Sequence, residues 1–548
     1  MQQSEATTLL LPAAEPAPTR RSRLVSTLSL VVIGFFWVSG GIYGSEELIS
    51  AAPPGIVLAW TAGAALLFAL PNALMTAECA AAFPIAGGQV AWVAMACGET
   101  VGGHNGYWVW LTNLLDAAVY PQMAAQYLVG ALPSLSEGAR ELVGRGACIG
   151  VIALVCAVNL LGLECVTTTQ AVAFAGALLP CVLFSASGLS RIHVAPLTVT
   201  TGDVDLALLI SWAVWLYSGF SSLGAMAGEV HNPQRTYPTV VALLVPLVTL
   251  LNLLPFAVAL SIDPDTSHYQ AGYFATLAGD LAGPWLHSLF AAGANVSLLG
   301  LYHSQMLAAE RALVAWGEGA LVAHGWSAGF RPPAVDEYAS STAASSAASS
   351  AAFAAPPSAP SAPSESGGAA AAAAADLSPP PKRTAAPPWA PVSRLRRWLL
   401  SAPNGSAVPR LNTIFNAAIA AGLTQLHYTS LVEVEMMLYA VSHTLFLYAF
   451  SALRWQQPDV PRPFRLPGGI SAAAAASLLP LCVCIAVLAS NVRHSDNLVA
   501  FLAVMMAGAL GHAVGRFLLR RCPRRADAGS SVLGGAAAPG RDHYERVP

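Results

Sequence analysis

The first hydrophobic segment of the chain is interrupted by the stretch Val38-Ser39-Gly40-Gly41-Ile42-Tyr43-Gly44-Ser45-Glu46-Glu47. Apolar residues run from Leu24 to Trp37, about two-thirds of the roughly 20 residues that a membrane-spanning helix needs. The crossing must therefore continue through the glycines, each of which costs about 1 kcal/mol relative to alanine inside a helix. This predicts two half-helices joined by unwound backbone, which is tolerated at membrane depth only where it is buried in protein or lines a cavity. The interruption indicates a binding site; the alternative is glycines that only permit close helix packing.

The composition places the chain among membrane proteins. Of its 548 residues, 55% are hydrophobic and 10% are charged, against about 25% charged in soluble domains. The net charge of −3 gives no indication of a nucleic-acid partner. The nine cysteines lack CxxC or Cys/His spacing. We therefore expect small apolar side chains rather than disulfides or metal ligands, and no cofactor.

Apolar runs of spanning length predict twelve transmembrane helices, which we number as spans one to twelve. They cover 24–50, 55–78, 104–130, 143–163, 166–189, 206–229, 237–261, 281–310, 411–426, 428–453, 469–490 and 496–519. On one side lie Arg140, Arg145, Arg191 and Arg493, while the other 22 of the 26 Lys and Arg residues fall on the opposite side. The positive-inside rule then predicts cytosolic N- and C-termini. We expect a multi-pass protein of the plasma membrane.

Three segments outside the spans have compositions that cannot bury a core. Residues 1–23 predict a disordered cytosolic tail with no cleavable signal peptide. Residues 333–392, rich in Ala, Ser and Pro, predict a disordered cytosolic insert between spans eight and nine. Residues 521–548 predict a cytosolic C-terminal tail. The membrane domain is thus expected in two parts, 24–332 with spans one to eight and 393–520 with spans nine to twelve.

A short apolar segment, Gln89–Ala94, follows span two and is too short to cross the membrane. It predicts an interfacial helix on the inner face, with Trp92 at the level of the lipid headgroups.

Span six is interrupted like span one. Leu206–Leu216 is followed by Tyr217-Ser218-Gly219-Phe220-Ser221-Ser222, and Leu223–Glu229 completes the crossing. Two interruptions five spans apart, in helices of opposite direction, are what a five-plus-five inverted repeat produces. The predicted fold class is therefore an all-α polytopic membrane protein of about twelve transmembrane helices, with helices 1 and 6 broken. The substrate is expected between the two breaks.

Acidic residues at the first break indicate the chemistry of the substrate. Glu46 and Glu47 fall in the first turn of the second half-helix, where the positive end of the helix dipole favours an acid. A substrate carboxylate would ordinarily use that same end, so a substrate with amines and no carboxylate fits better. The alternative for Glu46 is a solvated cap in the outer vestibule.

A second acid, Asp116, lies in span three with Tyr120 one turn later on the same face. An acid near mid-membrane costs roughly 2.5–3.5 kcal/mol, so Asp116 is a candidate for binding substrate or proton. The alternative is pairing with the neighbourhood of Thr112 or Asn113 in helix packing. Glu435, near the start of span ten, is expected to be solvated at the outer surface.

Aromatic side chains can complete a cation site through contacts worth about 0.5–2 kcal/mol each, although each can equally serve packing or anchoring. The aromatic candidates are Tyr43, Tyr120, Trp215, Tyr217, Phe220 and Tyr302. The candidate contacts from residues of the two breaks are Ser39, Gly40, Gly41, Gly44, Ser218 and Gly219.

Candidates for proton coupling or gating are Asp116, Glu78, Glu229 and His303. Glu78 and Glu229 end spans two and six at the inner face, where we expect them to pair with inner arginines such as Arg235. His303 can titrate near the cavity, but a lone histidine in a helix can also be a hydrogen-bonded structural residue.

Several of these motifs resemble the amino acid–polyamine–organocation (APC) transporters. They are Ser39-Gly40-Gly41-Ile42-Tyr43-Gly44, Leu74-Met75-Thr76-Ala77-Glu78 with Phe83-Pro84 and Gly87-Gly88, and Ala227-Gly228-Glu229-Val230-His231-Asn232-Pro233. Further motifs are similar to the polyamine:proton symporter branch of plants and trypanosomatid protozoa: Gly44-Ser45-Glu46-Glu47, Trp108 through Asp116 with Tyr120-Pro121, and Pro458-Asp459 with Arg462-Pro463-Phe464. The resemblance covers residues 24–520 apart from the insert.

The resemblance implies an APC fold and proton-coupled uptake by alternating access, with acids and aromatics from spans one, three, six and eight around the substrate. The residues that match the branch by position are Glu46, Glu47, Asp116, Tyr120 and Trp215. Two positions depart from it: Phe220-Ser221 stands where the branch has an aromatic–acid pair, and Gln305 where it has an acid. These departures leave room for a cationic or neutral amino acid as substrate.

The predicted function is symport of polyamines such as putrescine or spermidine with protons, and the alternative is an amino-acid permease of the same fold. The expected partners are an organic cation or amino acid, a proton and membrane lipids. Because the sequence has no phosphate-binding loop and no nucleophile–base pair, we do not expect an enzyme. A non-transporting nutrient receptor that recruits partners through the insert is a further alternative. The sequence gives no oligomeric state.

Overall fold

The computed structural model is a bundle of helices. It describes residues 25–85, 87–130, 136–270, 272–316, 399–401, 408–491 and 495–521. The predicted tails and insert lie outside the described residues, apart from Arg521.

Most helices of the described part follow the predicted spans, and a further one-turn helix, Val194–Leu197, lies between spans five and six. The longer helices are α1 (Thr27–Val38), α2 (Glu46–Ser50), α3 (Pro54–Ala82), α4 (Gln89–Cys97), α5 (Glu99–Gly130), α6 (Glu137–Leu161), α7 (Leu163–Gly188), α8 (Leu206–Trp215), α9 (Pro233–Ile262), α10 (Tyr273–Ala282), α11 (Pro284–Trp316), α12 (Arg410–Leu423), α13 (Tyr428–Gln456), α14 (Gly469–Asn491) and α15 (Ser495–Arg521). Each predicted span overlaps one of these helices or, for spans one and six, an interrupted pair. In the described part, seven helices are long and apolar enough to cross a membrane. The prediction of an all-α polytopic membrane protein is confirmed.

The first break lies where the glycines predict it. α1 ends at Val38 and α2 begins at Glu46. Between them, Gly40, Gly41 and Gly44 have φ angles of 64°, 105° and 82°. These angles lie in the left-handed region that side chains other than glycine rarely adopt, so the glycines permit the unwound path.

The second break brings the two interrupted helices into direct contact. α8 ends at Trp215 and continues as a 3₁₀ segment, Ser218–Met226. A Cβ atom on Gly219 would lie 1.8 Å from the carbonyl oxygen of Trp37, so only glycine allows the backbones to approach this closely. The breaks of helices 1 and 6 therefore meet at one point inside the bundle.

Backbone pairing also joins the start of α1 to the chain that follows the 3₁₀ segment. Val25 and Val230 form an isolated parallel β-bridge. The Val25 N–H donates to the Glu229 carbonyl at 3.2 Å, and the His231 N–H donates to the Val25 carbonyl at 2.9 Å. We call this end of the bundle the Val25 end.

The expectation that Trp92 anchors α4 among the lipid headgroups is wrong, whereas the depth of α4 in the membrane stays a prediction. Trp92 is fully buried, and its indole N–H donates to the Phe83 carbonyl at 3.1 Å. Its ring packs so closely on the 3₁₀ segment that a Cβ atom on Gly224 would lie 2.5 Å from it. The backbone of Gly88 also contacts Gly224, and these two glycines let α4 enter the bundle rather than lie on its surface.

Candidate binding site

The centre of the site is the carboxylate of Asp116 on α5, which is 6% exposed. Its Oδ1 atom accepts a hydrogen bond from the Tyr120 hydroxyl at 2.8 Å and from the Trp215 indole N–H at 3.3 Å. Hydrogen bonds to an ionised group are stronger than those between neutral groups. Tyr120 and Trp215 therefore fix the orientation of the carboxylate and help to hold its charge.

Two cavities share Asp116 as a common wall. The smaller cavity lies against the first break and is lined by Ser39, Tyr120, Trp215, Ser218 and Leu301, among others. The larger cavity extends towards the Val25 end and is lined by Asn113, Gln305, Glu435, Tyr439 and Ser442, among others. Asp116 can therefore contact a molecule in either cavity.

Glu435 on α13 is the site residue that the sequence analysis missed. The expectation that it is solvated is wrong: Glu435 is 3% exposed and lines the larger cavity with Asp116. α13 begins at Tyr428, so Glu435 lies two turns, or about 10 Å, below the helix start. The spacing of Glu435, Tyr439 and Ser442 places all three on one helical face, and all three line the cavity. This spacing in the sequence was the signal that could have identified Glu435 as a site residue.

The face of α13 that lines the cavity is connected to both neighbouring elements. The Tyr439 hydroxyl donates to the Ser218 carbonyl in the 3₁₀ segment at 3.1 Å. The side-chain amide of Gln89 at the start of α4 donates to the Ser442 carbonyl at 3.1 Å. α13 therefore forms a wall of the site that is held to the break in span six.

Several predicted site residues lie together. Ser39, Asp116, Tyr120, Trp215 and Ser218 all line the smaller cavity. The larger cavity is lined by Gly219 as well. The structure therefore brings residues of both breaks to the same carboxylate. Their contact with a substrate stays a prediction.

Other predicted contact residues lie outside the two cavities. They are Gly40, Gly41, Tyr43, Gly44, Glu46, Glu47, Tyr217, Phe220 and Tyr302. The Tyr43 hydroxyl donates to the Ala177 carbonyl of α7 at 2.9 Å, and the Glu46 carboxylate accepts the Gly272 N–H at 3.0 Å. Tyr302 and Phe220 are fully buried. In this conformation Tyr43 and Glu46 bond to neighbouring elements, and substrate contact by the nine residues stays a prediction.

The two acids expected to act as gates are both in buried ion pairs. Glu229 pairs with Arg311 of α11, with N–O distances of 3.0 and 2.8 Å. Glu78 pairs with Arg454 of α13 and with Arg462. The partner expected from sequence, Arg235, is replaced by arginines from later in the chain, because pairing depends on how the helices pack.

His303 lies away from the cavity. Its Nε2 atom is 2.7 Å from Oδ1 of Asn159 on α6. Two residues later, Gln305 lines the larger cavity, as does Ser221. Both stand where the family resemblance implied acids. The second carboxylate of this cavity comes instead from Glu435.

No group of three or more His, Cys, Asp or Glu side chains is arranged to hold a metal ion within the described residues. A helical bundle with two interrupted helices that meet beside a buried carboxylate is the architecture of a membrane permease. The chain belongs to the amino acid permease family, whose model matches residues 26–324. The resemblance to the APC transporters is thereby confirmed.

Several relatives carry the name of polyamine transporters. The chain is 31% identical over 296 residues to a polyamine transporter of Oryza sativa subsp. japonica, an alignment that covers 54% of this chain and 55% of the relative. It is 32% identical over 285 residues to a probable polyamine transporter of Arabidopsis thaliana, covering 52% and 58%. A second probable polyamine transporter of Arabidopsis thaliana is 24% identical over 487 residues, covering 88% and 83%. The chain thus spans little more than half the length of the first two relatives.

Proposed function

We propose that this protein is a secondary active transporter that takes up polyamines such as putrescine or spermidine together with protons, by alternating access between the two breaks. The proposal rests on the composition of the larger cavity. Among the described residues, its lining contains two carboxylates, Asp116 and Glu435, and no lysine or arginine. Two carboxylates without a cationic partner match a substrate with two ammonium groups. The names of the relatives agree with this substrate class.

Uptake of the substrate needs no ATP, because the membrane potential and the proton gradient supply the energy. A cation that enters an inside-negative cell gains about 2.3 kcal/mol per charge per 100 mV. A dication therefore gains about 4.6 kcal/mol, which corresponds to roughly a thousandfold accumulation. The proton gradient adds to this. We place the protein in the plasma membrane with both termini in the cytosol, as the distribution of arginines predicts.

The alternative substrate, an amino acid, agrees with the name of the family. Its carboxylate would need donors near the first break. There, the Gly40 N–H donates to the Phe35 carbonyl at 3.0 Å, and the Gly41 N–H donates to the Ser39 hydroxyl at 3.3 Å. Both donors are already engaged, and the cavity adds two carboxylates that repel a third. An amine without a carboxylate fits better.

The test is uptake of radiolabelled putrescine into proteoliposomes under an imposed proton gradient. A hydrogen bond to a charged group contributes about 1.5–3 kcal/mol, so Asp116→Asn should lower uptake at subsaturating putrescine roughly ten- to hundredfold. The matched control is Asp280→Asn, which removes an exposed carboxylate on α10. Excess putrescine should compete, and excess leucine should not. Wild-type protein that ignores polyamines but exchanges arginine or leucine would refute the proposal.

A further inference from the structure

The larger cavity contains acceptor atoms that have no donor. Oε2 of Glu435, Oε1 of Gln305 and Oγ1 of Thr112 are buried without a hydrogen-bond partner in the described part of the chain. All three residues are at least nine-tenths buried, and all line the cavity beside Asp116. Buried polar atoms in proteins are normally paired, so an unpaired group requires an explanation. Other buried polar atoms of the described part also lack a partner, but these three lie in one cavity and come from three helices, α5, α11 and α13.

We infer that Glu435, Gln305 and Thr112 form a second ammonium subsite, distinct from Asp116, which makes the transporter selective for substrates with two ammonium groups over those with one. This inference rests on the proposed function. A primary ammonium group carries three N–H donors and no acceptor. Three unpaired acceptors that include a carboxylate are the complement of that group. Asp116, oriented by Tyr120 and Trp215, binds the other ammonium.

The charges around Glu435 agree with this assignment. The titratable groups that face it are Asp116 and Tyr120 from α5 and Tyr439 from its own helix. The other packed elements contribute uncharged side chains to the cavity, including Gln89 and Ser221. Glu435 therefore faces one negative charge and no positive one. A substrate with a single ammonium group would leave it unpaired, whereas a diamine supplies the missing cation.

The test compares two substrates that share a four-carbon chain, putrescine with two ammonium groups and n-butylamine with one. In wild type, putrescine should have an apparent KM at least tenfold lower than the inhibition constant of butylamine. Glu435→Gln keeps the shape and removes the charge, so the KM for putrescine should rise about tenfold or more and the preference should collapse. The control is Glu433→Gln on the same helix, which does not line the cavity and should retain the preference.

A second variant distinguishes loss of the subsite from misfolding. Glu435→Asp keeps the charge and shortens the side chain by one methylene, so the preferred substrate should shift from putrescine to the five-carbon diamine cadaverine. A preference for putrescine that survives in Glu435→Gln would overturn the inference. So would a Glu435→Gln protein that keeps its KM and its counterflow but no longer accumulates substrate with the proton gradient, because Glu435 would then carry the proton. If wild type transports no polyamine at all, the proposed function itself is refuted.

Discussion

At the scale of single residues, the contact between the two breaks depends on the absence of a side chain. A Cβ atom on Gly219 would overlap the carbonyl oxygen of Trp37, since the two would lie 1.8 Å apart. Overpacking of this kind costs about 1–3 kcal/mol where the neighbours can move. Because the obstacle here is backbone, we expect Gly219→Ala to lower the stability by at least that amount and to abolish uptake.

The measurement is thermal unfolding in detergent together with putrescine uptake. The matched control is Gly63→Ala on α3, where nothing lies within 4 Å of the added Cβ. Alanine is favoured over glycine in a helix by about 1 kcal/mol, so this control should be neutral or slightly stabilising. A Gly219→Ala protein with normal uptake would show that the breaks need not touch.

The loop between α9 and α10 contains a pair that responds to pH. Nδ1 of His268 lies 2.8 Å from a carboxylate oxygen of Asp263. This hydrogen bond and the charge of Asp263 raise the pKa of His268 above its ordinary value of 6.5. Because the folded-state pKa is the higher one, the stabilisation is fully present below about pH 6.5 and is lost as the pH rises through the folded value.

We therefore expect faster hydrogen exchange in residues 263–270 at pH 8.5 than at pH 6, after correction for the intrinsic dependence of exchange on pH. His268→Gln should remove most of the difference, because glutamine does not titrate. A pH response that persists in this variant would assign it to another group.

At the scale of elements, Glu46 connects the short helix α2 to that same loop. Its Oε1 atom accepts the Gly272 N–H at 3.0 Å, two residues beyond the pH-responsive stretch. If this bond is the role of Glu46, Glu46→Gln should keep the KM for putrescine and accelerate exchange near Gly272. If Glu46 binds the substrate directly, the KM should rise roughly tenfold or more, as expected for losing a charged hydrogen bond of about 1.5–3 kcal/mol. Uptake kinetics and hydrogen exchange on one variant separate the two roles.

At the scale of the whole molecule, a buried ion pair joins the two parts of the membrane domain. Glu78 of α3 accepts hydrogen bonds from Arg454 of α13, from Arg462 and from the Leu466 N–H. Removing one partner of a buried pair costs about 3–5 kcal/mol, because the other charge stays buried. We expect Arg454→Met to destabilise the protein by about this amount, and Glu78→Met with Arg454→Met to recover much of the loss.

Thermal unfolding of the single and double variants measures this coupling. The exposed pair of Arg145 and Glu141 on α6 is the matched control, since both side chains are about two-thirds exposed. Exposed pairs contribute about 0–1 kcal/mol, so Arg145→Met should change little. An Arg454→Met variant as stable as wild type would show that the pair of Glu78 and Arg454 contributes little to holding the two parts together.

The sequence predicted what depends on local chemistry. The glycines at 40, 41 and 44 disfavour a continuous helix wherever they stand, and the one-turn spacing of Asp116 and Tyr120 brings them onto one face in any helix. What depends on packing between distant helices was missed. Glu435 reaches Asp116 across more than 300 residues of chain, and Arg311 rather than Arg235 reaches Glu229, because helix order and rotation in the bundle are not encoded in any short segment. The burial of Trp92 was missed for the same reason, since it depends on contacts with distant residues such as Gly224.

The β-bridge between Val25 and Val230 has a mechanical consequence. Two backbone hydrogen bonds at Val25, just before α1, join it to the chain that follows the 3₁₀ segment. A force applied to the chain ahead of Val25 therefore acts on both interrupted helices and does not separate α1 alone from the bundle. On the proposed mechanism, we expect a tether attached ahead of Val25 to slow transport without occupying the cavity, because it would restrain both interrupted helices.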